Sequence, residues 1–112
     1  MNERLADRHC VPCRGGVAPL NVDSARQLLA QAPKWQLSDD ATQILRDFRF
    51  TSFSEALAFV NEVGVIAEAE GHHPDMCFGW GYVSIKLQTH KIRGLHENDF
   101  IVAAKIDALA SA

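Results

Sequence analysis

A chain of 112 residues, 47% hydrophobic and 22% charged, has the length and balance of one soluble globular domain and is too short for two. Its formal net charge of −3 gives no electrostatic ground for binding nucleic acid or an anionic membrane surface, and no apolar run approaches the roughly 20 residues of a membrane span. The charged start Met1-Asn2-Glu3-Arg4 lacks an apolar signal core, and an odd count of 3 cysteines suits reduced thiols, so a cytoplasmic protein is expected.

Residues 1–20 have no clean period and carry Cys10, Pro12, Cys13, Gly15, Gly16 and Pro19, which predicts an irregular arm preceding a domain over residues 21–112. From Val22 the spacing becomes helical through Ala25, Leu28, Leu29 and Ala32, with Asn21 or Asp23 as cap and Pro33 as stop. Trp35-Gln36-Leu37 predicts a short strand and Ser38-Asp39-Asp40 a turn. Ile44, Arg46, Phe48 and Phe50 then alternate with Gln43, Asp47 and Arg49, a half-buried strand that pairs with the Trp35 strand as a hairpin.

Ser52 followed by Glu55 has capping-box spacing and opens the longest predicted helix. Its stripe is Phe53, Leu57, Val60, Gly64 and Ala67, broadened by Ala56 and Val63 among others, and Gly64 suggests a close approach to the sheet. That helix ends near Gly71. Met76, Phe78 and Trp80 alternate with Cys77 and Gly79 as a third strand, and Gly81-Tyr82 predicts a two-residue hairpin loop with glycine first. Val83, Ile85, Leu87 and Thr89 face inward on a fourth strand that ends at His90. A loop over residues 91–96 leads to a last helix from about Glu97 to Leu109, with His96 as its cap or facing solvent. Two hairpins separated by a helix predict an α+β fold: one four-stranded, mostly antiparallel sheet with helices on one face, in the order α-β-β-α-β-β-α.

Of the 5 histidines, His72, His73, His90 and His96 fall within residues 72–96. Pro74 drives His73 toward an extended conformation, so His72 and His73 stand where a helix gives way to a strand. A tight hairpin returns His90 to the same end of the sheet, and Glu68, one turn before His72, points to that end too. Imidazoles transfer protons near neutrality, so convergent rings predict an acid–base site. Asp99 in the first turn of the last helix also suits the positive end of its dipole. His9-Cys10-x-x-Cys13 offers metal ligands, but no second CxxC or HxxxH accompanies it, so neither a metal site nor a redox pair is expected.

The spacing Glu68, His72-His73-Pro74, Trp80, His90, Asp99, together with Phe48-Arg49-Phe50-Thr51-Ser52-Phe53, resembles the signature of the pterin-4a-carbinolamine dehydratases over about residues 20–110. The resemblance implies loss of water from a 4a-hydroxytetrahydropterin without metal or cofactor, and a homodimer or homotetramer. It also implies a supporting role in tetrahydrobiopterin recycling for an aromatic amino-acid hydroxylase. Carried over by position, His72, His73 and His90 become the active-site histidines, with His72 and His90 as acid and base and His73 binding the substrate. Glu68, Pro74 and Trp80 become substrate-binding residues and Asp99 a supporting acid. A non-catalytic binding or dimerisation module on the same fold is the rival reading. The strand after Pro74 is less aromatic than in many relatives, and the resemblance gives the Cys10 arm no role.

Overall fold

The computed structural model describes residues 4–12 and 15–111. Within them, helices α1 (Val22–Leu29), α2 (Phe53–Glu70) and α3 (Glu97–Ala110) alternate with strands β1 (Gln36–Leu37), β2 (Ile44–Arg49), β3 (Asp75–Gly79) and β4 (Tyr82–Leu87) in the order α-β-β-α-β-β-α. The strands form one antiparallel sheet in the order β1-β2-β4-β3, and the fold is α+β. Among the described residues no helix is long and apolar enough to cross a membrane.

The period-2 patterns of β2 and β4 decide which face is covered. Ile44 and Phe48 on β2 and Val83, Ile85 and Leu87 on β4 are buried, packed with Ala56, Phe59 and Val63 of α2 and Phe100, Val102 and Ile106 of α3. Each large side chain so buried is worth about 1.5–3 kcal/mol relative to exposure. Phe59 packs its ring between Phe48 and Phe50, with centroids 4.8 and 5.1 Å away. Asp107 of α3 ties the helix to the sheet: it accepts the Trp35 indole N–H at 2.8 Å and pairs with Arg46, whose guanidinium lies over the Phe48 ring.

Asn21 caps α1, accepting the Ser24 N–H, but the helix stops at Leu29 and continues to Ala32 only as tight turns. Ser52 caps α2 as its spacing predicts. The Glu55 carboxylate, however, accepts from the Thr51 N–H and hydroxyl, one residue before the cap. The buried stripe of α2 is Ala56, Phe59, Val63 and Ala67, with Phe53 and Leu57 exposed. An added Cβ on Gly64 would meet nothing within 4 Å, so close approach to the sheet does not account for that glycine. The hairpin loop is Trp80-Gly81, with Gly79 paired to Tyr82 and the positive φ on Gly81, the second loop residue. His90 does not end β4; it opens a 3-10 turn, His90–Ile92. The expected irregular arm contains a 3-10 turn, Leu5–Asp7, and its Leu5 is fully buried in the core.

Candidate functional site

α2 ends where Gly71 adopts a left-handed φ of 64°, a conformation that costs glycine nothing. The chain turns there, the His72 N–H still bonding the Ala67 carbonyl at 3.2 Å, and Pro74 then launches β3. The turn drives the His72 side chain inward, leaving it 8% exposed. Its Nε2 lies 2.6 Å from Oδ1 of Asp99, which is completely buried. A buried carboxylate is costly unless its lone pairs are taken. Here Oδ2 accepts the Thr89 hydroxyl at 2.7 Å and the His96 N–H at 3.0 Å. The His96 ring accepts the Asn98 N–H through Nδ1, so His96 caps α3 and Asp99 completes the capping box. As a carboxylate Asp99 only accepts, so His72 must donate through Nε2, and in the neutral ring Nδ1 carries the lone pair.

His73 points to solvent and pairs with Glu68 one turn back on α2. The β3–β4 register sets Asp75 opposite Lys86, which returns residues after Leu87 to the His72 end of the sheet. There Nε2 of His90 faces Oδ2 of Asp75 at 3.7 Å, an ion-pair distance and not a hydrogen bond. His72, His73 and His90 line one open cleft of about 270 Å³, together with Gln88 and Thr89. A larger hollow of about 420 Å³ beside Lys34, Gln36 and Arg46 holds no histidine. The smaller cleft is the one equipped for proton transfer.

Two sequence-predicted residues stand apart from that cleft. Trp80 occupies the hairpin loop, 71% exposed. The five residues of β3 separate it from Pro74, about 17 Å at 3.3 Å per residue. The alternation that made Trp80 the last residue of β3 fails because the loop begins one residue early. It therefore does not wall the histidine cleft of its own chain. Pro74 sits between cleft and strand and orients the backbone without lining the cavity. Thr89 and Asp75 were missed. The signal for Thr89 was a lone polar residue on an otherwise apolar inward face, and for Asp75 a carboxylate directly after Pro74.

The arm packs near the same site. Glu70 accepts the Cys10 N–H at 2.7 Å and meets Nδ1 of His9 at 2.9 Å, with the Lys105 ammonium 3.8 Å away. Burial raises the Glu70 pKa, but the Cys10 N–H, His9 and Lys105 outweigh it and hold the carboxyl below its usual range. Burial, reinforced by Glu70, pushes the Cys10 thiol up to about 12, which disfavours the thiolate that redox or metal chemistry needs. The CxxC partner, Cys13, lies outside the described residues.

Fold and cleft define a small α+β protein with a histidine-lined cleft backed by a buried carboxylate. The chain belongs to the family described as pterin 4 alpha carbinolamine dehydratase, whose model matches residues 18–109. It is 57% identical over 107 residues to a Halorhodospira halophila protein named "Putative pterin-4-alpha-carbinolamine dehydratase", covering 96% of this chain and 98% of that one. A Methylococcus capsulatus protein of the same name is 55% identical over 107 residues, covering 96% and 94%. Among solved structures, a transcriptional coactivator/pterin dehydratase from Brucella melitensis is similar with a TM-score of 0.77 and 32% identity, over 82% of this chain and 98% of that one. A pterin dehydratase-like protein identified as a RuBisCO assembly factor in the alpha-carboxysome aligns with a TM-score of 0.60 and 29% identity, over 70% and 92%.

Proposed function

We propose that this protein removes water from a 4a-hydroxytetrahydropterin to give a quinonoid dihydropterin, recycling the pterin after aromatic amino-acid hydroxylation in the cytoplasm. The observation that carries the reading is the cleft shared by His72, His73 and His90, with His72 held from behind by buried Asp99. Dehydration breaks the bond from the ring carbon to its hydroxyl oxygen. One imidazole protonates the departing oxygen, which leaves as water. The lone pair of the adjacent ring nitrogen forms the C=N bond, and a second imidazole removes that nitrogen's proton. Protons and electrons balance with no further reactant. His72 and His90 are the proton-transfer pair, and His73, oriented by Glu68, binds the substrate.

The test follows the absorbance decay of freshly generated 4a-hydroxytetrahydropterin. Wild-type protein accelerates it, and His72→Ala and His90→Ala each lower kcat by about 10²–10⁴-fold. The likeness to the RuBisCO assembly factor favours a second reading, a non-catalytic binding module on the same fold. Decay that pure wild-type protein leaves unchanged selects it. Self-association belongs to either reading: Phe53, Leu57, Val65 and Trp80 are large apolar side chains left exposed, and their burial in a homodimer or homotetramer is the expected state. Sedimentation equilibrium giving the monomer mass throughout would refute it.

A further inference from the structure

The arm carries no part of the chemistry above, yet its polar contacts converge on the two helix ends that carry His72 and Asp99. The His72–Asp99 hydrogen bond joins the C-terminal end of α2 to the first turn of α3. The arm joins those same two ends a second time. On the α2 side, Glu70, two residues before His72, accepts the Cys10 N–H at 2.7 Å. On the α3 side, Asn98, next to Asp99, accepts the Val11 N–H at 3.1 Å through Oδ1 and donates through Nδ2 to the Val11 carbonyl at 2.8 Å. The Asn98 side chain thus engages both backbone groups of one residue, as a neighbouring strand would. Neither anchor is a loose surface contact, because Asn98 is 2% exposed and the Glu70 side chain 6%. Behind them Leu5 is embedded in the core and Lys105 donates to the Ala6 carbonyl at 2.9 Å, so the arm itself has a fixed seat.

A hydrogen bond between two helix ends keeps its length only as well as the ends keep their separation. Two bonded links through consecutive residues, Cys10 and Val11, make a strut between the residues flanking the pair. We propose that Glu70 and Asn98 are positioning residues, and that the arm they clamp holds Asp99 against His72 and so fixes the imidazole in its proton-transfer orientation. The catalytic part of this inference rests on the dehydratase reading; the mechanical part does not.

Both parts are tested on the full chain carrying Glu70→Ala, Glu70→Gln or Asn98→Ala, with Ser52→Ala as a control that removes a helix cap away from the cleft. Misplacing an oriented group costs turnover more than binding, so Glu70→Ala and Asn98→Ala lower kcat by about tenfold or more while KM stays within about twofold. Glu70→Gln keeps an acceptor for the Cys10 N–H and recovers kcat to within about threefold of wild type. Ser52→Ala lowers the melting temperature and leaves kcat alone. In parallel, proton NMR reads exchange with water of the His72 imidazole N–H held by Asp99, which quickens about tenfold or more in both alanine variants and not in Ser52→Ala. Should Asn98→Ala fail to fold, the Glu70 pair decides. Unchanged kcat and unchanged exchange in folded Glu70→Ala overturn the proposal, as does a loss that Glu70→Gln fails to recover. If the wild type does not dehydrate the pterin, the dehydratase reading falls while the exchange measurement still decides whether the strut exists.

Discussion

Asp99 is the buried residue at which the polar contacts behind the cleft meet, and as a carboxylate it can only accept. Its oxygens face three donors, His72 Nε2–H, Thr89 Oγ1–H and His96 N–H, and as a carboxylate it satisfies all of them. Asp99→Asn keeps shape and volume but supplies an NH₂ in place of one oxygen. Either that NH₂ faces His72, which must then accept at Nε2 and carry its proton on Nδ1, or it opposes the Thr89 hydroxyl and His96 N–H. The first costs the tautomer and the second the cap. The expected outcome is a kcat lower by about 10²-fold or more, with KM changed far less. Steady-state kinetics check it, and turnover by the Asp99→Asn variant near that of wild type would mean that the His72 tautomer does not matter. The three cleft histidines were legible in the sequence because proline and hairpin geometry constrain where they go. Thr89 was not, since an inward threonine on an apolar strand face reads as packing until its hydroxyl partner is known.

At the scale of elements, the site depends on how α2 stops. Gly71 takes a φ of 64°, and a Cβ there would meet no atom within 4 Å. The cost of Gly71→Ala is therefore conformational strain alone, about 1–2 kcal/mol. For a domain of this size that lowers the melting temperature by about 4–8 °C per kcal/mol. Thermal unfolding by circular dichroism measures it, and an unchanged melting temperature would show that the turn accommodates a side chain freely. The helix end was readable because glycine followed by His-His-Pro leaves the chain few continuations. The face of α2 was readable only in part: Ala56, Val63 and Ala67 lie on the expected stripe, and Phe53 and Leu57 were expected with them. Its apolar residues wrap far enough around the axis that two stripes compete, and burial chooses Ala56, Phe59, Val63 and Ala67 because β3 and α3 pack on that side. Phe53 and Leu57, equally apolar in sequence, stay outside. Trp80 was misplaced for a related reason: strand alternation persists into a loop that starts where backbone pairing ends, and pairing ends at Gly79.

The fold is closed by contacts between residues 5–11 and its last helix, and sequence periodicity carries no signal for them. Leu5 enters the core, Arg8 pairs with Glu97, and Lys105 reaches the Ala6 carbonyl. Glu70 joins this closure to pH. Its carboxyl is held below the ordinary value of 4.5: burial works against ionisation, and the Cys10 N–H, His9 and Lys105 together prevail. A carboxyl whose pKa is depressed by folding binds its proton more weakly in the native state than in the unfolded chain. Its stabilising contribution is therefore complete above about pH 4.5 and is lost as pH falls through the lower native value. Glu70→Gln has no proton to bind, so its deficit against wild type is largest near neutrality and shrinks as the solution is acidified below that point. Asp40 and Glu55, also held low by their hydrogen bonds, are present in both proteins and cancel in the comparison. Melting temperatures of the pair across this range read the difference directly. A gap of constant width down to the pH at which both proteins unfold would mean that Glu70 stabilises the arm as a hydrogen-bond acceptor only, with no contribution from its charge.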